Sequence, residues 1–105
     1  MTRQAAKASV QIENEHVRVT EWRFQPGAAT GHHVHAHDYV VVPVTSGDLQ
    51  LVDEAGTAVS RLETGKAYTR QAGVAHDVIN GNPFEFVFIE IELKDTGPKA
   101  GHARA

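Results

Sequence analysis

The sequence predicts an all-β sandwich or barrel. Three observations carry this. Apolar residues recur at every second position through most of the chain, the period of a strand with one buried face. The apolar runs are rich in β-branched and aromatic residues. Glycine-containing turn signals separate them at regular intervals, and no segment has the apolar spacing of an amphipathic helix.

The elements follow in order. The first eight or so residues read as a tail. Val17 and Val19 alternate with Arg18 and Thr20, then Trp22 and Phe24 with Glu21 and Arg23. The apolar phase changes between Val19 and Trp22, which predicts a bulge or a strand buried on both faces. Val40 to Val44 is a short β-branched run containing Pro43, which points to an edge position or a bulge because proline cannot donate to the ladder. Leu49 and Leu51 alternate with Asp48 and Gln50. Near the end, Phe84, Phe86 and Phe88 share one face, and Val87, Ile89, Ile91 and Leu93 share the other. Turn signals stand at Pro26-Gly27, Ser46-Gly47-Asp48, Glu54-Ala55-Gly56, Glu63-Thr64-Gly65, Ala72-Gly73 and Asn80-Gly81-Asn82-Pro83. A single domain over 1–105 is expected, with an ordered core at about 9–94 and a C-terminal tail at 95–105 broken by Gly97, Pro98 and Gly101. His102 belongs to that tail and reads as a solvated side chain.

Composition narrows the function classes. With 10 Lys and Arg against 13 Asp and Glu, and no basic stretch, nucleic acid and anionic membranes are poor partners. No apolar run is long enough to span a bilayer, and the N-terminus does not read as a secretion signal. The absence of cysteine excludes disulfides, zinc ribbons, iron–sulfur clusters and thiol nucleophiles. These features lead to the expectation of a cytoplasmic protein.

The unusual feature is seven histidines, with four of them between positions 32 and 37. On a strand, side chains two apart face the same way, so His33 and His35 project together and can chelate one ion. His37 joins them only if the strand continues, and Ala36 and Asp38 read equally well as a turn. His32 has the opposite parity. A further ligand must come from another segment. His76 is well placed, following the turn at Gly73 and opening a strand. His16, among polar turn residues, reads as a surface side chain. A His-rich tract can equally be a solvated run, so composition alone leaves a built site and an adventitious one open.

Two spaced patterns resemble those of the cupins. The first cupin motif, G-x5-H-x-H-x3-4-E-x6-G, is matched by Gly27, His33-Val34-His35 and Gly47. The second, G-x5-P-x-G-x2-H-x3-N, is matched by Gly65, Gly73, His76 and Asn80. The stretch His35 to Val44, with Phe84 to Lys94 after it, resembles the small bacterial cupins labelled β-alanine-degradation proteins. The resemblance implies a double-stranded β-helix, or jelly-roll barrel, with a metal inside and a homodimer in solution. The long apolar last segment, with two sticky faces, also favours association. Two positions depart from the motifs. Gln71 stands where the second motif has proline. The glutamate of the first motif falls near Tyr39 or Val40, and neither is a carboxylate. The implied ligand set is therefore His33, His35 and His76, with His37 as a candidate fourth; Asp38 and Asp77 are weaker candidates, because Asp77 directly follows His76 and faces away.

Three neutral imidazoles suit a divalent transition metal (Zn, Ni, Fe, Cu or Mn) better than Mg or Ca, and a set lacking a carboxylate holds Mn least well. Open coordination positions are what a catalytic centre needs. Tyr39, Val40, Arg70, Asn80 and Phe88 are candidate pocket residues. Arg70 stands either as a carboxylate clamp or as a surface arginine, and Asn80 either as a pocket group or as a partner of the backbone at the Asn-Gly turn. Three functions are consistent with this: a metal-dependent oxygenase, isomerase or decarboxylase acting on a small polar or carboxylate metabolite, a non-catalytic metal or small-ligand binding module, and a structural or storage protein.

Overall fold

The structure is a computed structural model and describes residues 3–96. Its strands are β1 (Lys7–Glu13), β2 (Val17–Phe24), β3 (His33–Val34), β4 (Asp38–Pro43), β5 (Gly47–Asp53), β6 (Gly56–Leu62), β7 (Tyr68–Arg70), β8 (Ala75–Asn80) and β9 (Phe86–Leu93). They form a five-stranded sheet in the order β1-β2-β9-β4-β7 and a four-stranded sheet in the order β3-β8-β5-β6. All the strand pairs are antiparallel. The all-β expectation is met.

The two sheets close on side chains of alternating parity. Phe24, Tyr39, Val41, Leu49, Leu62, Val78, Phe86 and Phe88 form the buried cluster, with Trp22, Leu51 and Tyr68 packed against it. Phe24 and Phe88 are offset neighbours, with ring centroids 5.5 Å apart. The core continues into the pocket described below, whose lining shares Tyr39, Val41, Leu49, Val78 and Phe88 with this cluster.

The phase change in β2 has a simple cause. Its register with β9 runs unbroken from Val17 to Phe24, so β2 carries no bulge on that side. Thr20, Trp22 and Phe24 face the interior, while Val17 and Val19 lie half-buried on the outer face of the sheet. The bulge sits instead in the neighbouring β1, between Val10 and Ile12. Pro43 ends β4. The Val44 N–H bonds the Val87 carbonyl, so by alternation the Pro43 nitrogen points away from β9. On that side β7 pairs no further than Val41, and no ladder bond is lost.

Order begins earlier than the expected residue 9. Ala6 N–H bonds the Ala29 carbonyl, and Ala29 N–H bonds the Gln4 carbonyl, tying the N-terminal segment to the loop after β2. At the other end β9 stops at Leu93, and the Thr96 hydroxyl accepts a hydrogen bond from Asp38 N–H. Most of the expected C-terminal tail, His102 included, lies outside the described residues.

Candidate metal centre

The site is built where β3 meets β8. Gly31 precedes β3 with φ +83°, a left-handed conformation that redirects the chain out of the loop and into the strand. Gly73, at φ +97°, does the same before β8. The register then sets His33 directly opposite His76. His35 lies just beyond β3 but keeps strand-like pairing, its N–H bonding the Val74 carbonyl and its carbonyl accepting from Gly73 N–H. Equal parity turns the His33 and His35 rings to one side, and the cross-strand pairing brings His76 to the same point.

There the three rings converge. His33 Nε2 lies 3.0 Å from His35 Nε2, and His35 Nε2 lies 3.2 Å from His76 Nε2. The ligand atoms of all three histidines fall within 4.8 Å of one another. Two nitrogens bound to one ion at about 2.0–2.1 Å, with bond angles between octahedral and tetrahedral, stand about 2.9–3.4 Å apart. Both short separations match. The ring planes are steeply inclined, at 72° to 88° pairwise, so the three nitrogens approach from different directions as a facial set does. The residues therefore fit a divalent transition metal.

The protonation states agree with that role. Burial, reinforced by His33 and His76, pushes His35 down to about 4. Burial, with His33 and the Arg70 charge behind it, pushes His76 down to about 4. Both rings are thus neutral near pH 7 and keep a lone pair for an ion. The His33 Nδ1 lies 2.9 Å from the Gly31 carbonyl. An N–H there donates to that oxygen and leaves the lone pair on Nε2, which is how supporting hydrogen bonds orient a ligating imidazole.

The other candidates fall into place around this trio. Tyr39 is buried and stacks on the His35 ring at 3.8 Å between centroids, inclined by 18°. With Val40 it is one of the two positions where the first cupin motif would carry its glutamate, and of the two it is the one that faces the histidines. His37 does not join the cluster. Its Nδ1 lies 3.3 Å from the Thr96 carbonyl, because the chain bends at Ala36 and His37 before β4 begins at Asp38. Asp38 accepts from Ala72 N–H, and Asp77 accepts from Gly31 N–H, so both brace backbone turns. His16 is exposed beside Glu15 and Asp95, and His32 is exposed as its parity requires.

The trio lines one pocket with a cavity volume of about 30 Å³, room for about one water. Tyr39, Arg70 and Phe88 also line it. Arg70 lies at the exposed end, its guanidinium 4.7 Å from the centre of the Tyr68 ring. Val40 faces the outer side of the sheet. Asn80 is not a pocket residue. It is buried, and its Nδ2 donates to the carbonyls of Phe24, Gln25 and Phe84. Of its two sequence readings, the backbone partner is the one realised. Sequence reasoning missed much of the lining, the apolar Trp22, Val41, Leu49, Leu51 and Val78 together with Thr30 and Tyr68, and one carboxylate, Glu90, on the inner face of β9. The signal was available, since the alternation Phe86, Phe88 continues to position 90.

The comparisons agree with this geometry. The cupin domain model matches residues 20–92. The chain is 53% identical over 92 residues to the beta-alanine degradation protein BauB of Pseudomonas aeruginosa, covering 88% of this chain and 97% of that one. It superposes on the crystal structure of a cupin domain from Bordetella pertussis with a TM-score of 0.88 at 55% identity, covering 90% and 98% of the two chains. A double-stranded β-helix protein of Klebsiella pneumoniae shares the fold, with a TM-score of 0.72 at 24% identity over 92% of this chain and 84% of that one. The two inward-facing histidines of the first motif, the third across the sheet and these matches have one reading: the chain belongs to the cupin family.

Proposed function

We propose that this cupin is a metal-dependent enzyme acting on a small polar or carboxylate metabolite in catabolism. The observation that carries the reading is the convergence of His33, His35 and His76 nitrogens at the wall of a pocket with Arg70 at its mouth. A divalent transition metal, whether Zn, Ni, Fe, Cu or Mn, would supply a Lewis acid with open positions. The chain's own residues would do the rest. Arg70 would receive a carboxylate, for which guanidinium geometry is suited. Phe88, Val41 and Leu49 would exclude water from one side. With no carboxylate among the ligands, the centre would keep its full positive charge and favour an anionic guest. The relative named for β-alanine degradation points to short-chain carboxylates as the first compounds to test.

The test is turnover of a panel of such carboxylates, β-alanine among them, followed by NMR with metal-loaded and exhaustively chelated protein. Metal-dependent consumption is expected, and turnover that survives chelation would overturn the reading. Saturable, metal-dependent binding without turnover would replace it with a non-catalytic binding module.

We also propose that the outer face of the five-stranded sheet pairs two copies. Register aligns Ile12, Val19, Ile91 and Val40 in one row across β1, β2, β9 and β4, with Ile89 and Val42 beside it. Ile12 is 51% exposed, and the others are half-buried. Light scattering at micromolar concentration is expected to give twice the 11.4 kDa chain mass, and Ile91→Glu is expected to give the monomer. A monomeric wild type would sink this.

A further inference from the structure

His35 is the ring on which the trio depends. Its Nε2 approaches both of the others, at 3.0 Å from His33 Nε2 and 3.2 Å from His76 Nε2. Neutral imidazole nitrogens that turn lone pairs toward one another at such distances repel, unless a proton or an ion lies between them. Before an ion binds, the rings therefore tend to swing apart. Each needs a support that holds its nitrogen in the converging direction.

The supports differ from ring to ring. His33 is held through its own Nδ1, which lies 2.9 Å from the Gly31 carbonyl and 3.3 Å from the Thr30 hydroxyl. Among the described residues, no hydrogen bond reaches the Nδ1 of His35. Its backbone is fixed by Val74 and Gly73, but the chain bends immediately afterwards, at Ala36 and His37. Rotation about the last side-chain torsion of a histidine is broad, so a fixed backbone does not fix the ring.

Tyr39 supplies what the missing hydrogen bond does not. Its ring covers the face of the His35 ring, 3.8 Å between centroids and inclined by 18°. The His33 and His76 rings meet His35 edge-on, at 4.7 and 5.2 Å. Tyr39 is itself well held. It is 3% exposed, and its strand is flanked by β7 and β9, with Arg70 and Glu92 as register partners. Among the described residues its hydroxyl makes no hydrogen bond, so the face of the ring is what it offers the site.

We propose that Tyr39 is a positioning residue for the metal centre, its ring face fixing the His35 imidazole in the ligating orientation before an ion arrives. This rests on the reading of His33, His35 and His76 as metal ligands. Stacking does for His35 what the Gly31 carbonyl does for His33. The ring is required and the hydroxyl is not.

The test is zinc affinity, measured by competition with a chromophoric chelator. Tyr39→Phe keeps the ring and is expected to bind zinc as the wild type does. Tyr39→Leu keeps apolar bulk without the flat face and is expected to bind about 10-fold or more weakly, the loss that follows removal of a group that orients a ligand. Phe86→Leu truncates a fully buried aromatic ring that does not line the pocket; it is expected to lower the melting temperature and leave zinc affinity unchanged. Should Tyr39→Leu not fold, Tyr39→Met takes its place with the same expectation. Proton NMR of the metal-free protein gives a second readout. The Tyr39 ring current is expected to move the His35 ring protons upfield in the wild type and in Tyr39→Phe, and an unshifted His35 would overturn the stacking. A wild type that binds no zinc would overturn the metal centre itself. Wild-type affinity in Tyr39→Leu would overturn this inference alone. Equal losses in Tyr39→Phe and Tyr39→Leu would transfer the role from the ring to the hydroxyl and overturn it, and an equal loss in Phe86→Leu would reduce the effect to general loosening of the core.

Discussion

Protein purified without an affinity tag is expected to carry close to one transition metal ion per chain, and His33→Ala, His35→Ala and His76→Ala are each expected to lose it. The argument is one of ligand number. Three nitrogens share one small volume, two of the separations already matching neighbouring positions on an ion. Removing one imidazole leaves two ligands, and among the described residues no other group joins the cluster. His37 is held by the Thr96 carbonyl, Asp38 and Asp77 by backbone N–H groups, and Tyr39 is stacked flat on His35. Loss of a bond that merely orients a ligand costs about 10–100-fold in affinity, so loss of a ligand should exceed about 100-fold, or ~2.7 kcal/mol. His37→Ala, His32→Ala and His16→Ala are the controls and should keep full metal content. His35 is buried, so its removal also opens a cavity; His76→Gln, which retains most of the side-chain bulk, separates folding from ligation. Elemental analysis decides the matter. Unchanged metal in His76→Gln, or an equal loss in His37→Ala, would mean the convergence of the rings is not a binding site.

How much of this was readable from sequence depended on whether the information was local. The alternation at Trp22–Phe24, Leu49–Leu51 and Phe86–Phe88 is a property of neighbouring residues, and it translated directly into strands with the expected inner faces. The spacing of His33 and His35 was readable for the same reason, and the paired motifs then identified His76. The fate of His37 was not readable. Whether the chain continues or turns after Ala36 depends on hydrogen bonds from residues far along it, Ala72 to Asp38 and Asp38 to Thr96. The apolar phase change in β2 was readable, but its cause was not. Both faces of that strand are partly covered, and only the sheet order shows what covers them. Glu90 went unread for a different reason. An acidic residue on an apolar strand is normally assigned to solvent, since carboxylates are rarely buried without partners. Strand periodicity alone, followed without regard to residue type, would have placed it inside.

Asn80→Asp is expected to destabilise the fold by about 3–5 kcal/mol, lowering the melting temperature by about 15–30 °C, although it changes a single atom of a side chain. Asn80 is 1% exposed and joins three segments. Its Nδ2 donates to the carbonyls of Phe24, Gln25 and Phe84 at 3.2, 3.3 and 2.8 Å. Its Oδ1 accepts from the backbone and side-chain nitrogens of Asn82 at 2.9 and 2.8 Å. Asn82 in turn bonds both the N–H and the carbonyl of Asp48, packed so closely over Gly47 that a Cβ there would lie 2.9 Å from its amide. Asparagine thus supplies the donor taken up by the end of β2 and the turn before β9, and the acceptor that holds Asn82 against the start of β5. Aspartate keeps the acceptor and the shape but loses the donor. It would take this donor from the Phe24 and Phe84 carbonyls, leave the Gln25 carbonyl with Ala28 N–H alone, and set a negative charge against all three oxygens; a buried carbonyl left unpaired costs about 1–3 kcal/mol. Because the barrel's total stability is of the order of 5–15 kcal/mol, the variant should sit near the edge of folding. Calorimetric melting with metal analysis of the folded fraction is the measurement. A role in the pocket would instead change ligand or metal binding and leave the melting temperature alone, and an Asn80→Asp protein that melts within a few degrees of wild type would refute the structural assignment.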